Sequence, residues 1–171
     1  DLPLERRDGT TLQVQVSASL IELGERRVIL SVMRDVSQQV EAVRALRESE
    51  ERFRSVVEYA ADALFLIDQE GNFVDVNRMA SESLGYTREE LLGLKIPDVE
   101  IDIDLAKFAE LRELLTPGRP ITLSVSHRRK DGDTFPVEVR VGLIELDGQQ
   151  QILALARDIT ERVRVERRLQ A

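Results

Sequence analysis

The chain has 171 residues, 42% hydrophobic and 33% charged, which is the make-up of a soluble globular protein with room for about one domain. Its net charge of −8 argues against nucleic acid as the main partner, because neutralising phosphates takes a surplus of Lys and Arg. The lack of cysteine excludes disulfides, thiolate metal sites and cysteine nucleophiles, and no run nears the roughly 18 apolar residues of a membrane helix.

In chain order, the partial alternation of Leu12, Val14, Val16, Ala18 and Leu20 predicts a strand over 12–23. Val28 to Val36 gives a second strand, joined to the first across Gly24–Arg27 as a hairpin. From Val36 to Ala60 the period changes: Val36, Val43, Leu46, Phe53, Val57 and Ala60 fall on a heptad seam interrupted by Gln39 and Glu50. Without Gly or Pro, this stretch is a helix, and two readings stay open: an amphipathic helix lying on its own domain, or half of a two-chain coiled coil. Asp62–Asp68 and Asn72–Val76 predict a further hairpin about Glu70–Gly71. Asn77 then caps a helix that stops at Gly85, and Thr87 with Glu90 has capping-box spacing for another short helix ending near Gly93. Leu105, Phe108, Leu111 and Leu115 mark a longer helix over 104–115, closed by Pro117–Gly118. Three strands end the pattern, over 121–127, 134–146 and 151–159. They turn at Asp131–Gly132 and at Asp147–Gly148, the latter a pair suited to a tight hairpin. Pro136 is placed near a strand start, since proline cannot donate a ladder hydrogen bond.

The chain also repeats itself. LIEL at Leu20–Leu23 returns at Leu143–Leu146, and at that offset of 123 positions, 16 of the 41 residues from Asp8 to Glu48 are identical. A period this long is no solenoid, so each copy reads as a domain. The first copy lacks the stretch that precedes Lys130 in the second. The expected organisation is therefore the C-terminal strands of a truncated upstream domain (1–36), a helical linker (37–60), a complete domain (61–160) and the start of an output helix (161–171).

The segments SEERF at Ser49–Phe53, DALFLID, GNFVDVN, LGYTREELLG, RRKDGDTFPVEV and RDIT at Arg157–Thr160, in this order, resemble a PAS domain. The resemblance covers Glu50 to Glu161, and the partial first copy resembles the end of another such domain. It implies an α+β fold: a five-stranded antiparallel sheet with short helices on one face. It further implies a sensory or dimerising module of a cytoplasmic signalling protein, such as a histidine kinase or a cyclic-di-GMP enzyme. The family's closing Asp-x-Thr motif falls on Asp158 and Thr160, and Asp35 and Ser37 stand at the matching positions of the first copy. An acid and a hydroxyl where the last strand meets the exit helix can lock the angle of that helix, with Thr160 capping its first turn, or can merely cap it.

Other sites find less support. The flavin and cinnamoyl photosensors that this family includes need a cysteine, and its haem sensors place a histidine on the long helix, where this chain reads DLAKFAELRELL. The single histidine, His127, is read as a surface or sheet-edge residue. Asp98, Glu100, Asp102 and Asp104 alternate, but a calcium loop counted from Asp98 has Ile103 and Ala109 where glycine and glutamate belong. No catalytic constellation is expected within the chain. Phe65, Met79, Leu84, Leu92, Phe108, Leu111 and Leu123 either fill the core or line a cavity. No cofactor is expected, while an unidentified small ligand remains open. The expected partners are a second copy in a homodimer and the adjacent PAS and output domains of the same protein, with no nucleic acid and no direct membrane contact. Since a lone hairpin is marginal in water, the strands over 12–36 are expected to make a dimer contact or to lie on a sister sheet. Two functions follow: a sensor that relays a signal through its helical linkers, or a ligand-free dimerisation spacer.

Overall fold

The computed structural model describes residues 2–169. The expected spans thus lose residue 1 of the first segment and residues 170 and 171 of the output helix, which lie outside the described residues. By internal contacts the chain divides into two compact units, Asp1–Arg54 and Ser55–Ala171.

The first unit is a three-stranded antiparallel sheet in the order β1-β2-β3, from β1 (Leu2–Glu5), β2 (Thr11–Leu23) and β3 (Arg26–Asp35). Only the hairpin of β2 and β3 was foreseen. The strand β1 was missed because it is only four residues long and contains a proline, which argues against a strand. Its register gives it away: Leu2 faces Val14, as Val125 faces Val137 one repeat later. Helix α1 (Ser37–Glu58) follows and crosses the unit boundary at Arg54 and Ser55. It buries no residue, and its seam residues Val43, Leu46 and Phe53 are exposed.

The second unit runs β4 (Ala63–Ile67), β5 (Phe73–Val76), α2 (Arg78–Leu84), α3 (Arg88–Leu91), α4 (Ile96–Val99) and α5 (Leu105–Leu114). It ends with β6 (Ile121–Arg128), β7 (Thr134–Leu146), β8 (Gln149–Asp158) and α6 (Thr160–Leu169). Its five strands form one antiparallel sheet in the order β5-β4-β8-β7-β6, with the short helices over one face. The local chemistry works as the sequence implies. Asn77 accepts from the Ala80 N–H at the start of α2, Gly85 ends that helix in the left-handed region, and Thr87 and Glu90 close a reciprocal capping box. Asp147 and Gly148 both have positive φ, as the tight β7–β8 hairpin requires. The core gathers Phe65, Leu84, Leu91, Phe108, Val137 and Ile152 among others; here Leu91 takes the buried place expected of Leu92. The helix α4 was not foreseen, since four residues are too few to show a period.

Pro136 sits third of the thirteen residues of β7, near the strand start as expected, although β7 is an interior strand. Its neighbour across β6 is Ser126, whose own N–H and C=O are taken by Asp102 and Ile101. On the other side, the Pro136 carbonyl accepts the Ile159 N–H just beyond the end of β8, so the missing donor faces a place where the ladder has already ended.

The two copies of the repeat share their geometry as well as their letters. Strand β2 shifted by 123 positions is β7, and β3 shifted likewise is β8, with Val14 opposite Asp35 as Val137 is opposite Asp158.

Candidate functional site

Each junction where a helix meets a domain is held by a small set of side chains. At the start of α6, Asp158 Oδ1 accepts the Thr160 N–H at 2.8 Å and the Thr160 hydroxyl as well. The cap acceptor is thus Asp158 rather than Thr160, because Thr160 is already the first helical residue and its hydroxyl is spent as a donor. Asp35 repeats the arrangement by accepting the Ser37 N–H at 2.9 Å at the start of α1. One bond differs between them: the Ser37 hydroxyl accepts the Gln13 N–H at 2.9 Å, a donor that Pro136 lacks at the matching place.

The N–H of Ser37, and then its hydroxyl, hold the exposed Asp35 carboxyl below the usual aspartate range. A carboxyl depressed in the folded state stabilises it above its unfolded value and loses that contribution as pH falls through the folded value. Following the Asp35 carboxyl and the Ser37 amide by NMR during acid titration is therefore expected to show both unchanged until pH drops below the ordinary aspartate range. Fraying of Ser37 at higher pH would contradict this.

Asp158 has a second partner. Arg129, from the β6–β7 turn, lies 3.7 Å from Asp158 Oδ2, donates to the Ser83 carbonyl in the last turn of α2, and stacks 3.9 Å from the centre of the Phe135 ring. Phe135 meets His127 edge-on at 5.8 Å, and His127 meets Phe65 at 6.1 Å. A continuous line of contacts thus runs from the middle of the core to the first residue of α6.

His127 contradicts the surface reading. It lies on the edge strand β6, but its side chain points inward and it is only 3% exposed. The alternation that puts Thr122, Ser124 and Arg128 at the surface could have signalled this. Nε2 sits 3.4 Å from Glu100 Oε1 but is not hydrogen-bonded among the described residues. The acidic alternation breaks up into separate duties: Asp98 and Asp104 cap backbone N–H groups of Lys95 and Lys107, Asp102 accepts the Ser126 N–H, and Glu100 bridges to His127. Beside Glu100 and Arg112 lies a cavity of about 40 Å³ lined by Phe108, Leu111, Leu123 and Ile152. That is space for no more than a few water molecules.

Asn77 is the residue whose role the sequence understated. Beyond capping α2, its Oδ1 accepts the Leu64 N–H at 2.9 Å, and its Nδ2 donates to the carbonyls of Val57 at 3.0 Å and Asp62 at 3.1 Å. Glu58 adds a bond from the Arg78 N–H at 2.9 Å. The last turn of α1 is therefore pinned to the start of α2 and to β4.

Comparison with known proteins gives the context of this arrangement. A PAS domain family model matches residues 2–38 and 61–161. The methyl sulfide methyltransferase-associated sensor of Methanosarcina acetivorans is 31% identical over 130 residues, 75% of this chain and 13% of that protein. Sporulation kinase E of Bacillus subtilis is 28% identical over 159 residues, 87% of this chain and 20% of that protein. The chain thus spans a fifth or less of either relative. The PAS domain of an HTR-like protein from Haloarcula marismortui matches with a TM-score of 0.66 at 26% identity, over 70% of this chain and 98% of that one. Among the described residues no helix is long and apolar enough to cross a membrane.

Proposed function

Since the chain belongs to the PAS domain family and carries a sensory PAS module, we propose that it relays a signal from α1, through the domain of residues 61–160, into α6. The observation that carries this reading is the pair of junctions. The end of α1 is pinned by Asn77 and Glu58, and the start of α6 by Asp158, which Arg129 links to the aromatic line through His127. A shift of the sheet or of α1 alters the position of Arg129 or Asp158, and with it the angle of α6. In the first copy, Asp35 and Ser37 pass an upstream signal into α1 in the same way. Asp158→Ala in the full-length parent is expected to change signalling output while leaving the fold intact, since the cap it removes contributes only about 1 kcal/mol. Unchanged output would refute the relay. Arg129→Ala is expected to reproduce part of the effect of Asp158→Ala, and combining the two to fall short of their sum, because the two residues share the contact between Arg129 and Asp158.

The exposed seam of α1 supports a homodimer paired through this helix, beside the contact expected of the strands over 12–36. Sedimentation is expected to give twice the chain mass, and Leu46→Glu with Phe53→Glu a monomer. A monomeric parent chain would refute the pairing.

The nearly filled core favours the second reading, a ligand-free dimerisation spacer, over a pocket for a large cofactor. An absorbance spectrum of the fresh protein, with mass spectrometry of what denaturation releases, separates the two. A stoichiometric small molecule makes the module a ligand sensor of the cytoplasmic kind described above, whereas an empty extract supports the spacer.

A further inference from the structure

The pair Asp-Gly occurs three times in the chain, at Asp8–Gly9, Asp131–Gly132 and Asp147–Gly148. This is the pair at which a peptide chain rearranges without an enzyme. The glycine nitrogen attacks the aspartate side-chain carbonyl carbon, and glycine has no side chain to stand in the way. The attack makes two demands on the fold: a carboxyl free to swing toward the main chain, and an amide nitrogen free to meet it.

The three pairs differ on both counts. Asp8 Oδ1 accepts the Thr10 N–H at 2.9 Å and the Thr10 hydroxyl at 2.6 Å, while the Gly9 N–H donates to the Arg6 carbonyl at 2.9 Å. The matching pair of the repeat is held alike: Asp131 Oδ1 accepts the Asp133 N–H at 3.0 Å, and the Gly132 N–H donates to the Arg129 carbonyl at 3.0 Å. Each of these pairs gives up hydrogen bonds at both ends before it can react. Asp147 and Gly148 instead form the two-residue turn between β7 and β8, closed by the pairing of Leu146 with Gln149. Among the described residues neither the Asp147 carboxylate nor the Gly148 N–H has a hydrogen-bond partner. Both residues are exposed, and a side-chain carbon added at Gly148 would meet nothing within 4 Å.

We propose that Asp147–Gly148 is a site of spontaneous isoaspartate formation in the folded protein, and that the fold protects the other two pairs. The Gly148 nitrogen bonds to Asp147 Cγ, and the carboxyl OH leaves with the amide hydrogen as water, which closes a five-membered succinimide. Water then opens the ring at one of its two carbonyls. Cleavage at the side-chain carbonyl restores aspartate; cleavage at the main-chain carbonyl leaves the chain running through the side chain as isoaspartate. Water is the only other reactant, and no oxidant or reductant takes part. The new link adds one carbon to the main chain of a two-residue turn, so it loosens the tip of the hairpin where Leu146 meets Gln149 and Glu145 meets Gln150. The matching turn of the first copy is Gly24–Glu25 and has no aspartate, so of the two duplicated hairpins only the second carries this site. The inference stands apart from the relay and does not depend on it.

The test ages the full 171-residue chain for weeks at neutral pH, cleaves it after Lys and Arg, and maps the fragments by chromatography with electron-transfer fragmentation, which tells isoaspartate from aspartate at equal mass. The three pairs fall in separate fragments, Asp8–Arg26, Asp131–Arg140 and Val141–Arg157. Isoaspartate is expected to form in the third at least about tenfold faster than in either of the others. In the chain unfolded by guanidinium the three rates are expected to converge, since the fold alone separates them. Asp147→Gly is expected to abolish the signal and keep the hairpin, because glycine accepts positive φ. No isoaspartate at Asp147 over this time, or equal rates at the three pairs in the folded chain, overturns the proposal. So does a preference that survives unfolding, which would assign it to the neighbouring sequence and not to the turn.

Discussion

Asn77→Ala is expected to cost about 4 kcal/mol of stability, a large share of what a domain of this size has to lose. Asn77 is 1% exposed and all its hydrogen-bonding capacity is used: two backbone N–H groups, of Leu64 and Ala80, point at Oδ1, and two carbonyls, of Val57 and Asp62, receive Nδ2. Alanine takes a partner from all four, and of these the Val57 carbonyl keeps another donor, the Ala60 N–H at 3.4 Å. Each buried backbone group left unpaired costs about 1–3 kcal/mol, and water entering the vacated space offsets part of the sum. Asn77→Asp is expected to be nearly as harmful, because a carboxylate satisfies the two N–H groups but presents oxygen to two carbonyls. Urea unfolding of both variants measures this, and a loss below about 1 kcal/mol in either would remove Asn77 as the anchor of α1.

The second large effect is expected at His127, whose replacement by alanine should cost about 3 kcal/mol. The imidazole fills the gap between the edges of Phe65 and Phe135, so its removal leaves a cavity lined by two rings that cannot close together. A histidine at the surface would cost no more than about 0.5 kcal/mol, so this one variant separates the two placements. His127→Phe is expected to keep most of the stability, because Nε2 makes no hydrogen bond and the ring supplies the packing. If alanine and phenylalanine cost the same, the approach of Glu100 at 3.4 Å, and not the stacking, is what matters at this position.

Much of this fold was legible because its signals are local. The Asn77 cap, the Thr87–Glu90 box, the left-handed Gly85 and the Asp147–Gly148 turn each depend on residues within four positions of one another. The repeat extended that reach and matched the two hairpins residue for residue. What stayed hidden depends on distant partners. Nothing within a few residues of Asn77 indicates that its amide bonds Val57, twenty positions earlier. His127 was misplaced because a lone polar residue in a strand says which face it is on only when that face is known. Asp158 and Thr160 were picked out together, but which of them accepts and which donates depends on where α6 begins, a boundary that sequence patterns fix only to within a residue or two.

Gln13 and Pro136 occupy the same place in the two copies, and only Gln13 has an N–H to give to the hydroxyl at the start of the following helix. The root of α6 is tied to its sheet by other means, the Arg162 guanidinium donating to the Glu138 carboxylate of β7 at 3.1 Å. A single imino ring in an otherwise duplicated hairpin thus moves the anchorage of the exit helix from a backbone donor in the strand to a charged pair on the surface.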